Sequence, residues 1–344
     1  MSGPYKQLSK GASGVGRALL SPIRVAGRYT TITIAFSVVI GLAIPALPPL
    51  IRPYLQPLMF ALMFLNMLRV EPSALQGYFE RPLLPLAASL WMLLVIPASA
   101  AAILGLIGIE NFSEGTRTIV LMVTAAPPVM SAVALLFFLG FNGTLGLALT
   151  LLTTIAAPFT APLLAAYILP EAETIQPLAL AANLFLLLAG STILARLVRH
   201  KAGAKRIAEH TETINGVSCV AFFCFTVAAM DGLTATTLAR PIEVLAMLGV
   251  TFAVALSHMA ITFAVFKVTG RNTAFTVAFS AGMRNLGLMV AAMGGIIPPL
   301  AWLFFSVAQI PINLLPLLFT PLARRWNNTN SAQQDVENAL ENNP

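Results

Sequence analysis

Charge is what this sequence lacks. Only 10% of its 344 residues are Asp, Glu, Lys or Arg, against about a quarter in an ordinary soluble domain, so a water-facing globule is excluded. Acidic side chains number 13, and none falls in the middle of an apolar run. Cysteine is nearly missing. Cys219 and Cys224 lie five apart in one apolar run, on different sides of a helix, which argues against a disulfide or metal pair and for two small core residues. No nucleophile–base pair, metal cluster or Gly-rich phosphate loop stands out, so the chain does not read as an enzyme.

What is abundant is hydrophobicity. Apolar residues make up 58% of the chain and mean hydropathy is +0.84. Runs near the ~20 residues needed to cross a bilayer recur along almost the whole length. The expected class is an all-α polytopic membrane protein, because the runs are continuous and not the ten-residue alternations of a barrel. Ten spans are predicted, approximately at 31–48, 53–69, 82–108, 116–140, 143–169, 177–199, 213–231, 241–267, 272–294 and 297–322. Residues 1–30 read as a basic, acid-free cytoplasmic arm without the apolar core of a cleavable signal peptide. Residues 326–344 read as a disordered polar tail.

The 20 Lys and Arg residues test that layout. With the N-terminus in the cytoplasm, the inner side receives Lys6, Lys10, Arg17, Arg24 and Arg28 of the arm, Arg69 and Arg81 of the second loop, and Arg196, Arg199, Lys201, Lys205 and Arg206 of the central loop. Lys267, Arg271, Arg324 and Arg325 bring it to sixteen, against Arg52, Arg117 and Arg240 outside. Arg284 stays within a span. That bias supports ten spans with both termini in the cytoplasm, and it explains the net charge of +7 without a nucleic-acid partner. The expected location is a plasma membrane, the bacterial inner membrane in particular.

The halves 31–169 and 177–322 look like repeats. Arg81-Pro82 opens the third span and Arg240-Pro241 the eighth; Gly115 precedes the fourth and Gly270 the ninth. Twelve residues after each glycine comes a helix breaker, Pro127 and Gly282. Five spans per half invert the second half relative to the first, the plan of secondary transporters with broken helices at a midplane site. In the fourth span, Pro127-Pro128 removes two adjacent donors, so a regular helix is not expected to pass. In the ninth, Ser280-Ala281-Gly282-Met283-Arg284-Asn285 interrupts an apolar run. Arg at a span centre costs about 2.5–3.5 kcal/mol even on the lenient insertion scale. Two readings stand for Arg284: a structural pairing with carbonyls, or a functional cation whose partner is an anionic ligand.

At these residues the sequence resembles the bile acid:sodium symporter superfamily over roughly 31–322. The resemblance is carried by the Arg-Pro and Pro97 of the third span, the Pro-rich turn before Ser131, Thr150, Thr154 and Pro158 in the fifth, and Gly-Met-Arg-Asn in the ninth. It implies ten helices in two inverted five-helix repeats, a panel domain packed on a core domain, and broken fourth and ninth helices that cross. It also implies transport of organic anions with sodium. The sodium-site pattern departs from the family's. Ala132 follows Ser131 where the family has Asn, Ser280 stands in place of Glu, Arg284 in place of Gln, and Met92 in place of another Gln. The remnants Ser131, Thr150, Ser280 and Asn285 leave few hard oxygen ligands beside a guanidinium.

The family's one Glu and two sodium ions leave a net +1, and Ser280 with Arg284 reaches the same charge without ions. The expected function is therefore secondary transport of a small organic anion, with Arg284 as a fixed cation and sodium coupling weakened or absent. Val129, Ser131, Ser280, Arg284 and Asn285 would form the substrate site, with half-helix N-termini near Val129 and Met283 adding positive charge. A sodium-coupled carrier with rearranged ion sites, a passive channel and a non-transporting sensor are the alternatives. No cofactor is expected beyond Na+ or H+ as a coupling ion. His258, the one histidine within a span, is either a proton carrier or a core residue bonded to a carbonyl or to Ser257. Thr150, Thr154, Gln309 and Asn313 either line the cavity or tie helices together.

Overall fold

The computed structural model describes residues 30–70, 78, 82–170, 175–315 and 318–321. The predicted basic arm, apart from Thr30, and the polar tail lie outside the described residues. Those described are almost entirely helical, with no strand among them. In chain order the helices are α1 (Thr30–Ala43), α2 (Leu47–Arg69) and α3 (Leu83–Ile107), α4 (Glu114–Ala125), α5 (Met130–Phe138) and α6 (Gly143–Ile168). There follow α7 (Pro177–Ala202), the short α8 (Ala204–Glu209), α9 (Thr211–Ala239), α10 (Pro241–Phe266), α11 (Arg271–Gly282), α12 (Leu286–Ala292) and α13 (Pro299–Pro321).

Six of these, α3, α6, α7, α9, α10 and α13, are long and apolar enough to cross a membrane. The α1–α2 pair, bent by 108° between Ala43 and Leu47, makes a seventh if counted as one span. The protein is an integral membrane protein of helical type.

Proline acts differently according to its spacing. Pro158 and Pro162 lie four apart inside α6, which runs on without interruption. Pro127 and Pro128 are adjacent, and the residue before a proline is pushed toward extended backbone; the helix ends at Ala125 and a new one begins at Met130. In α3, Pro97 cannot donate, and the turn before it widens so that the Ile96 N–H bonds to the Trp91 carbonyl, five residues back. The two glycines proposed as matching helix starts are not equivalent. Gly270 (φ +91) precedes α11, whereas Gly115 lies inside the first turn of α4, capped by Ser113. There it allows close approach: a Cβ would sit 2.8 Å from Leu300 Cβ.

Polar contacts gather at the two ends of the bundle. At one end Arg52 pairs with Asp231 at 2.7 Å and lies 4.0 Å over the Trp302 ring. The Trp302 indole donates to the Asp231 carbonyl at 2.9 Å, and Arg117 reaches the Ile168 carbonyl at 3.4 Å. At the far end of α2, Arg69 bonds Asn215 and Asn66, both at 2.6 Å. Arg199 donates to the Leu68 carbonyl at 3.1 Å. Tyr78 donates to Asn142 at 2.9 Å, and the Asn142 N–H donates to Asn272 at 3.2 Å. Between the ends, a large apolar cluster joins side chains of α2, α4, α6, α7, α9, α12 and α13.

Candidate functional site

The stretches that interrupt α4–α5 and α11–α12 lie against one another. The Val129 N–H donates to the Met283 carbonyl at 2.8 Å, and the Asn285 N–H donates to the Pro127 carbonyl at 2.8 Å, forming an antiparallel bridge between Pro128 and Arg284. Each break thus satisfies backbone groups freed by the other, which membrane depth requires of any non-helical segment. α12 begins at Leu286 and not near Met283. Met283–Asn285 is drawn out into the bridge, and the Asn285 side chain accepts from the Leu288 N–H at 3.1 Å as the helix cap.

Gly282 closes α11 for a packing reason. A Cβ there would stand 2.9 Å from the Ala255 carbonyl oxygen and would strike the Met259 side chain. Only the absence of a side chain lets α11 press this closely on α10. The contact brings His258, one turn beyond Ala255, up to the crossing.

Arg284 is buried, 3% exposed. Its Nη1 donates to the Ala126 carbonyl at 2.8 Å, across the crossing. Its Nε and Nη2 have no hydrogen-bond partner among the described residues. Nor does any carboxylate there pair with it; Glu243, at the start of α10, is exposed and bonds Arg240 at 3.4 Å. The Nε and Nη2 hydrogens of a planar guanidinium point the same way, in the fork that matches the two oxygens of a carboxylate. The carbonyl pairing foreseen as one reading therefore occupies one corner of the group and leaves the fork without a partner among the described residues.

A small cavity that opens outward lies beside this residue, walled by α10, α13, the end of α4 and the crossing. Arg284 and His258 both line it; most of the remaining lining is apolar, with Val123, Phe304, Ile312 and Leu315. Thr251, the other polar residue there, commits its hydroxyl to the Leu248 carbonyl at 2.8 Å. His258 makes no hydrogen bond among the described residues, and its neighbour Ser257 bonds the Val254 carbonyl instead.

The other expected site residues lie apart from that cavity. Ser280, 1% exposed, donates to the Thr276 carbonyl and faces Gly146 of α6. Thr150 donates to the Gly146 carbonyl at 2.9 Å. Ser131 is half-buried near the start of α5, and Val129 precedes it as the N-terminal flank. Gln309 and Asn313 bond the Phe305 and Gln309 carbonyls of their own helix, so neither ties helices together by those bonds. Thr154 is buried in α6. Met92 is fully buried against Leu145 and Leu149, and Ala132 packs with Leu136 and Phe279. His258 beside Arg284 is the pairing that linear reading missed, because it depends on where α10 meets Gly282. Compared with models of known protein families and with curated proteins, the chain gives no match.

Proposed function

We propose that this chain is a secondary transporter of small organic anions, with ten spans in two inverted five-helix repeats and with Arg284 as a fixed cation in place of bound sodium. The observation that carries the reading is a buried Arg284 whose Nε and Nη2 have no partner among the described residues, in the wall of a cavity at the crossing of two broken helices. An unpaired charge at that depth is costly, and a carboxylate that docks on the fork relieves it.

The polar ends support ten passes. Arg52, Asp231 and Trp302 lie at or near span ends that the predicted layout assigns to the outside, and so do Arg117 and Ile168. Arg69 with Asn215, Arg199 with Leu68, and Tyr78 with Asn142 and Asn272 lie in connections or at span ends assigned to the inside. No contact among these joins opposite sides. Single cysteines at Ala204 and Ala235 are expected to react with an impermeant reagent from opposite faces of oriented vesicles. Reaction of both from one face overturns the layout.

Sodium independence follows from the side chains at the family's ion positions. Thr150 and Ser280 donate to carbonyls of their own helices, and Met92 and Ala132 present only apolar surface. Such a set offers a sodium ion few hard oxygens. In proteoliposomes, uptake of labelled small carboxylates is expected to be the same in sodium and in choline. A more than few-fold sodium stimulation, lost in Ser131→Ala or Thr150→Ala, overturns this part of the reading. Counterflow separates a carrier from a channel: vesicles preloaded with unlabelled substrate accumulate label transiently only through a carrier.

A further inference from the structure

The inner end of α7 and the short α8 carry Arg196, His200, Lys201, Lys205 and Arg206, all exposed. Arg196, Lys201, Lys205 and Arg206 make no ion pair among the described residues. Among the described residues the nearby acids are Glu209 and Glu212, which come after them at the end of α8 and the start of α9. The cluster does not hang on a loose loop. Ile207 is buried with Leu68 and Ala195, which pins α8 across the end of the bundle. Beneath it Arg199 holds the carbonyls of Leu68 and Val70, and Arg69 holds Asn66 and Asn215.

One helical turn toward the membrane interior the same surface becomes apolar. Ile193, Leu194 and Leu197 are 58%, 41% and 53% exposed. Ile193, Leu197 and Lys201 are spaced by four and so run along one stripe of α7. A hydrocarbon-facing stripe thus ends directly in a cluster of cations that have no ion pair among the described residues. That is the layout of a molecule with a fatty body and an anionic head.

We propose that this surface of α7 and α8 is a binding site for an anionic phospholipid, its phosphate headgroup on Lys201, Lys205 and Arg206 and its acyl chains along Ile193, Leu194 and Leu197. Topology alone asks only for positive charge in the loop; it does not ask for a pinned α8 or for a continuous apolar approach. A neutral phospholipid lacks the net charge the cluster would hold, and free phosphate lacks the chains.

The test uses the full chain in nanodiscs of phosphatidylcholine with increasing phosphatidylglycerol. Phosphatidylglycerol is expected to raise the thermal midpoint and to remain bound through a detergent wash that strips phosphatidylcholine. The triple variant Lys201→Gln, Lys205→Gln, Arg206→Gln is expected to match the parent in pure phosphatidylcholine and to bind phosphatidylglycerol about a hundredfold more weakly, since each surface charge contributes roughly fivefold. Should the triple variant fail to fold, Lys201→Gln and Lys205→Gln alone are each expected to show the fivefold loss. Equal stabilisation by the two lipids, full retention by the variants, or reproduction of the effect by inorganic phosphate or a soluble polyanion overturns the proposal.

Discussion

Arg284→Gln is expected to give a folded protein that small carboxylates no longer stabilise. Glutamine keeps a donor that can reach toward the Ala126 carbonyl but has neither the charge nor the Nε/Nη2 fork. Two charge-assisted hydrogen bonds are worth about 1.5–3 kcal/mol each, so affinity should fall at least ~100-fold. Arg284→Lys is expected to be nearly as damaging. An ammonium is a point charge and cannot hold Ala126 at one corner while presenting a planar pair to the ligand. The measurement is the thermal shift of purified protein across a carboxylate panel, read beside size-exclusion profiles. If Arg284 only braces the crossing, the variants lose expression or folding, and whatever survives binds as before. Undiminished binding by well-folded Arg284→Gln removes the functional reading.

Among the described glycines, Gly282→Ala is expected to be the most destabilising change to alanine at an ordinary helical φ. The new Cβ would lie 2.9 Å from the Ala255 carbonyl oxygen, and a backbone oxygen in the middle of α10 cannot step aside. Overpacking of this kind costs about 1–3 kcal/mol, and here it pushes α10 away from the crossing and takes His258 with it. Gly249, on the same α10, faces open space. Gly249→Ala is therefore expected to be neutral or slightly stabilising, because alanine is the better helix former by ~0.5–1 kcal/mol. Thermal midpoints of the two variants, measured side by side, check the contrast; equal midpoints would mean that Gly282 tolerates a side chain.

The helical membrane class is legible because apolar runs and sparse charge are properties of the chain itself. The double proline is legible too, as a place where backbone geometry forbids continuation. What linear reading misses is whatever depends on the neighbour. Gly282 reads as a breaker from its place in the run, yet its role is set by Ala255 and Met259 on another helix. Asn285 reads as a ligand for substrate from its place beside Arg284; that its Oδ1 also caps α12 depends on where the chain re-enters helix. Ser280 and Thr150 read as oxygen ligands, and the sequence does not show that both hydroxyls donate to carbonyls four residues earlier, a bond that depends on side-chain rotamer. Gly115 and Gly270 match in spacing and differ in conformation, so that part of the repeat was spacing alone.

A charge bound to the chain has an electrical consequence that a charge carried by ions does not. Sodium leaves the site with its cargo, whereas the Arg284 cation remains. Under the transport reading, a core loaded with one monovalent anion moves as a neutral body, and the empty core moves as a cation. Carrying a full charge across the membrane field costs ~2.3 kcal/mol per 100 mV, so a potential negative inside holds the empty core on the inner side. The return step then slows by up to about fiftyfold per 100 mV, in proportion to the fraction of the field that Arg284 crosses. Exchange of one anion for another involves no empty crossing and escapes this brake. On that reading, polarisation of the membrane slows net inward movement of the anion and leaves exchange untouched.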